Sequence, residues 1–178
     1  MNKRLWLQQN EPAGFTLLEM LVVIIIVSVL AAIIAPNWLT LMNRQRAAAA
    51  SDHILQALRE TQSSAKTRNI PKTIQFDPTA NPPTITYNPG DATGERVEKL
   101  AKGDVKPGIL GMDITVAGAP VVAPYSITFD NRGGIVEAQT DDIPVMLSAT
   151  IANTTVKRCI FVETLIGNMR DARDTECN

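Results

Sequence analysis

The chain has 178 residues, of which 17 are basic, 18 acidic and 45% apolar. That length favours a single domain, and a net charge of −1 gives no general electrostatic reason to bind nucleic acid or an anionic surface. One histidine, His53, cannot complete a four-ligand zinc site with the two cysteines, so no metal or cofactor is expected.

The first 14 residues, MNKRLWLQQNEPAG, carry Lys3 and Arg4, basic residues of the kind that hold a flank on the cytoplasmic side of a membrane. Behind them stands one charge, Glu19, and then residues 20–43 contain no ionisable side chain at all. This run exceeds the roughly 20 residues that a bilayer-spanning helix needs. A lone carboxylate at its start costs several kcal/mol in hydrocarbon unless something answers it. The apolar stretch is followed by Pro36-Asn37-Trp38 instead of a small-residue cleavage site, which directs attention to the glycine in front of it, Gly14.

The segment from Gly14 to Glu19, G-F-T-L-L-E, followed by its hydrophobic run, resembles the type IV prepilin motif of pilins and of the pseudopilins of type II secretion. The resemblance implies a leader, residues 1–14, that a membrane-bound prepilin peptidase removes by cutting between Gly14 and Phe15, with methylation of the new amino terminus at Phe15. It also implies that the subunit waits in the lipid of the inner membrane, its amino end cytoplasmic and its head exported, before it joins other pilin or pseudopilin subunits through its helix. In a staggered filament the Glu19 carboxylate of one subunit can meet the Phe15 amine of its neighbour, and stranding one member of such a pair typically costs about 3 to 5 kcal/mol.

Residues 15–42 are thus expected to form the membrane and assembly half of a long helix, and residues 43–69 its amphipathic half. Pro36 is tolerable as a kink. Ala47, Ala50, Ile54, Leu58, Thr61 and Ala65 fall at helical spacing, with Arg46, Asp52, Gln56, Arg59, Glu60 and Lys66 mostly between them. The helix should end near Asn69, which tolerates a left-handed conformation and is followed shortly by Pro71.

Residues 70–178 read as a β-rich head of roughly 110 residues, enough for one modest core. Strands are expected at 73–76 and 84–87, forming a hairpin across the turn formers 77–83. The polar stretch 90–106 reads as an exposed excursion with no assigned secondary structure. Further strands are expected at 114–116, 126–129, 135–138, 145–151 and 155–162, with tight hairpins at Asn131-Arg132-Gly133-Gly134 and Asn153-Thr154. The segment I-T-F-D-N-R-G-G-I resembles the central hairpin of the GspH/FimT group of minor pilins and pseudopilins. That likeness implies an α+β pilin fold, a long helix packed on an antiparallel sheet.

Cys159 and Cys177 lie in the part that the topology exports, where disulfides persist. A bridge is expected over two free thiols; it would pin the last segment to the final strand and contribute on the order of 3 kcal/mol. Within that loop Gly167-Asn168-Met169-Arg170-Asp171-Ala172-Arg173 resembles a glycine and paired-arginine segment of FimT-like pilins that bind DNA for uptake, with Asn168 standing at the first arginine position. Arg170 and Arg173 are the residues such a role would use. Lys157, Arg158, Arg170 and Arg173 are balanced by Glu163, Asp171, Asp174 and Glu176, so the tail lacks the positive excess that drives phosphate binding, and only weak DNA binding is expected.

Enzymatic chemistry finds no footing. His53 lies inside a helical pattern with no assembled triad, Asp141-Asp142 reads as a turn beside Pro144, and there is no glycine-rich phosphate loop. The expected function is a structural subunit, a minor pilin or pseudopilin, with a DNA-binding minor pilin as the alternative.

Overall fold

The structure, a computed structural model, describes residues 14–100 and 107–177. The expected leader up to residue 13 and the 101–106 part of the polar excursion lie outside the described residues. The described chain divides into two units, which meet between Thr40 and Leu41.

In the first unit the chain enters helix α1, Leu17–Arg68, directly from Thr16. Every side chain described from residue 14 to 33 is exposed, so this stretch has apolar residues on all sides and no interior of its own. No single helix among the described residues is long and apolar enough to cross a membrane; Leu17–Ile33 and Trp38–Arg68 meet the requirement of length and composition together.

In the second unit the amphipathic half of α1 buries the side chains that its periodicity selects: Ala47, Ala50, Ile54, Leu58, Thr61 and Ala65 are all at or below 4% exposure. Ala57 joins them at the same face. The helix ends at Arg68, and Asn69 turns the chain with φ of 54°.

The head that follows is antiparallel, and its strands fall into two sheets. One has the order β3-β2-β1-β6, built from β1 (Lys72–Asp77), β2 (Thr84–Tyr87), β3 (Arg96–Lys99) and β6 (Tyr125–Phe129). The other has the order β5-β4-β7-β8-β9, from β4 (Leu110–Val116), β5 (Ala119–Val121), β7 (Val145–Ile151), β8 (Lys157–Val162) and β9 (Met169–Arg173). One core serves both: Ile74, Phe76, Ile85, Ile127 and Phe129 from the first sheet and Ile114, Leu147, Ile160 and Val162 from the second cluster with the helix face. In β7 and β8 the pairing of Leu147 with Ile160 and of Val145 with Val162 places the large apolar residues on one face, as the two-residue period of a strand requires.

Four features depart from the sequence reading. The polar excursion contains β3, whose exposed charges leave no alternation to read. β4 is longer than expected and turns through Ala117 and Gly118, both at positive φ, into the short edge strand β5. Residues 135–138 are not a strand. After the tight turn at 130–134, Ile135 makes a single bridge to Phe129, and the chain then enters a 3-10 turn, Glu137–Asp142. The side chain of Gln139 takes the place of the missing strand, accepting from the Thr128 N–H at 2.8 Å and donating to the Ser126 carbonyl at 2.6 Å. Last, the segment inside the cysteine loop includes β9, paired along β8 from Met169 opposite Val162 to Arg173 opposite Arg158.

Candidate assembly site

The segment Gly14-Phe15-Thr16-Leu17-Leu18-Glu19 is the start of a helix written in side chains. Thr16 is its cap: its hydroxyl accepts the Glu19 N–H at 3.2 Å, and its carbonyl accepts the Met20 N–H at 3.2 Å. A threonine with a glutamate three residues on is the sequence signature of a capped helix start. Sequence reasoning took Glu19 from its distance to the glycine and missed the role of Thr16, although the same spacing could have shown it.

Gly14 stands just outside that cap. A Cβ built on it meets no atom of the described residues within 4 Å, and its φ is not one that L side chains avoid. Nothing in the described fold therefore calls for a glycine here. Gly167 is the opposite case, with φ of 74° and a Cβ position that would collide with Gln62 Nε2 and lie 2.7 Å from the Gly133 carbonyl.

Two polar side chains early in the apolar run are satisfied within the helix. Ser28 donates to the Ile24 carbonyl at 2.7 Å, one turn back, and Thr16 is engaged by the cap. The Glu19 carboxylate is left without a hydrogen-bond or ionic partner among the described residues. A position in the first helical turn gives it the favourable end of the helix dipole, about 0.3 to 1 kcal/mol. That does not by itself offset the several kcal/mol that a lone carboxylate facing hydrocarbon costs. A cation beside it would.

The two arginines considered for DNA do not act as a pair. Arg170 donates from Nε to Glu163 Oε1 at 2.7 Å and lies over the Phe161 ring, 4.6 Å from its centroid. Being three residues apart on β9, Arg170 and Arg173 project from opposite faces. The residue between them that shares the face of Arg170, Ala172, is buried with Cys159 and Cys177. Those cysteines are joined in a disulfide with Cα atoms 5.9 Å apart, which holds the last turn, Asp174–Cys177, against β8.

The head contains two side-chain assemblies that no motif announced. Gln62 of α1 donates to the Gly133 carbonyl at 2.7 Å and to the Gly167 carbonyl at 3.1 Å, joining the two loops to the helix. His53, placed by its sequence in a helical pattern, is buried between α1 and β3, with Nε2 3.0 Å from Glu98 Oε2. Beyond it Arg96 bonds Glu60 at 2.9 Å and lies 4.0 Å from the centroid of Tyr87. The Glu60 carboxylate holds Arg96 above its ordinary pKa, and burial pushes the Tyr87 phenol up. Both assemblies depend on contacts across long stretches of sequence and left no local signal. No group of His, Cys, Asp or Glu among the described residues could hold a metal ion.

Residues 11–35 match the prokaryotic N-terminal methylation motif. No curated protein matches the chain. Among solved structures, the type IV minor pilin FimU of Pseudomonas aeruginosa is similar at 12% identity and a TM-score of 0.55, over 76% of this chain and 97% of its own. The minor pseudopilin EpsH from the Type 2 Secretion System of Vibrio cholerae aligns at 13% identity and a TM-score of 0.48, over 73% of this chain and 98% of its own. The likeness of fold rests on FimU. The chain thus carries a prokaryotic N-terminal methylation motif and shares the α+β fold of the minor pilin FimU, a long helix leading into an antiparallel head.

Proposed function

We propose that this chain is a structural subunit, a minor pilin or pseudopilin, of a type IV pilus or a type II secretion pseudopilus. Made as a precursor in the inner membrane, it is cut between Gly14 and Phe15 by a prepilin peptidase, methylated on Phe15, and drawn through its helix into a filament with other subunits. The observation that carries this reading is the Glu19 carboxylate, a charge without a partner among the described residues, at the start of an apolar helix in which no other ionisable side chain follows before Arg44. Cleavage after Gly14 would put a cationic amine on Phe15, next to the cap. An amine of that kind on a neighbouring subunit supplies the charge that Glu19 lacks.

Processing is tested by Gly14→Ala. The added methyl meets nothing within 4 Å among the described residues, so the described fold should tolerate it and a processing defect would point to the peptidase. We expect the precursor to accumulate, heavier than the mature subunit by the leader on a gel. Normal processing of this variant would remove the cleavage assignment.

A further inference from the structure

The described aromatic side chains of the head are used internally: Phe76 and Phe129 are fully buried, Tyr87 nearly so, and Tyr125 packs against the core. Phe161 is covered by the Arg170 guanidinium. Trp38 differs. It is 60% exposed, beside Leu39 at 67%, and its indole N–H has no acceptor among the described residues. It stands at the far end of the apolar run that Phe15 opens, and the first charge after it is Arg44.

From Leu17 to Trp38 a helical path is about 32 Å at 1.5 Å per residue, close to the roughly 30 Å hydrocarbon thickness of a bilayer. Tryptophan prefers the boundary at which its ring body meets acyl chains and its N–H meets headgroups or water. We infer that Trp38 is a lipid-interface anchor that seats the unassembled subunit at the headgroup boundary of the leaflet facing the head. The inference rests on the reading of the apolar run as a membrane segment and adds the depth at which that segment stops.

The chain has two tryptophans, Trp6 and Trp38, so Trp6→Phe leaves Trp38 as the single indole reporter in the full-length protein. This variant is reconstituted into phosphatidylcholine and phosphatidylglycerol vesicles that carry a quencher either near the headgroups or deep in the acyl chains. The expected result is emission blue-shifted from that of the guanidinium-unfolded chain, and quenched more by the shallow label than by the deep one. Stronger quenching by the deep label, or none by either label in protein that floats with the vesicles, overturns the anchor while leaving the membrane segment intact. Failure to float with vesicles overturns both.

Discussion

Residues 14–33 and the unit that begins at Leu41 use apolar side chains in opposite ways. In the head, Phe76, Phe129, Ile74 and Leu147 are at 0% exposure, closed in by a helix face and two sheets. In the early helix Leu17 is 84% exposed and Ile33 64%, and no side chain described there is buried. The head carries its own solvent-free interior; the early helix must be given one by its surroundings. The glycines repeat the contrast, since Gly167 is hemmed in by Gln62 and Gly133 while the Cβ position of Gly14 meets no atom of the described residues. Gly14 and Glu19 are the positions to which the proposed processing and assembly give a role that the described fold does not.

Substitution should separate the two regions sharply. Phe129→Ala, in the shared core, is expected to cost about 3 to 5 kcal/mol in denaturant unfolding of the detergent-solubilised chain. Leu30→Ala, with a side chain 53% exposed, should leave the same midpoint unchanged. Equal losses from both would mean that the early helix has an interior after all. A smaller effect comes from Gly167→Ala, where positive φ and a close approach should together cost on the order of 1 to 3 kcal/mol by the same measurement. A midpoint equal to that of the parent would show that the loop at Gly167 yields.

The head and the early helix were not equally legible in sequence. The buried face of α1 followed from helical spacing and β1 and β2 from alternation beside turn formers, while β7 and β8 fall within stretches expected as strands. β3 and β9 did not, because both are edge strands rich in charge, with Arg96, Glu98 and Lys99 in one and Arg170, Asp171 and Arg173 in the other. A strand at 135–138 was a fair inference from a turn rich in glycine, but pairing ends at Ile135 and a glutamine side chain finishes the edge. The stitch at Gln62 was out of reach, since its partners lie far along the chain. At the amino end the capping role of Thr16 was missed, although its three-residue spacing to Glu19 could have shown it.

The head's interior should also be visible in alkali. The only two tyrosines, Tyr87 and Tyr125, are both held above the ordinary phenol range, chiefly by burial and, for Tyr125, also by the hydrogen bond of its hydroxyl to Asp142 at 2.9 Å. Their raised pKa values favour the neutral form in the folded state. The stability they contribute is therefore complete below the usual phenol pKa near 10 and is lost as pH rises through the folded values. Ultraviolet titration at pH 10 should show clearly less phenolate than free tyrosine does, and the unfolding midpoint should fall only above that pH. Ionisation matching free tyrosine would place both rings in solvent.

The central claim is that Glu19 is held for a partner outside its own chain. Its most direct test is the fraction of an epitope-tagged Glu19→Gln subunit recovered in sheared filaments, compared with tagged parent protein that is equally processed and equally abundant in the membrane. The neutral amide keeps the shape and the helix cap but removes the charge that would answer a neighbour's Phe15 amine. We predict normal cleavage at Gly14 and a large loss from the filament fraction; recovery equal to that of the parent would contradict the account.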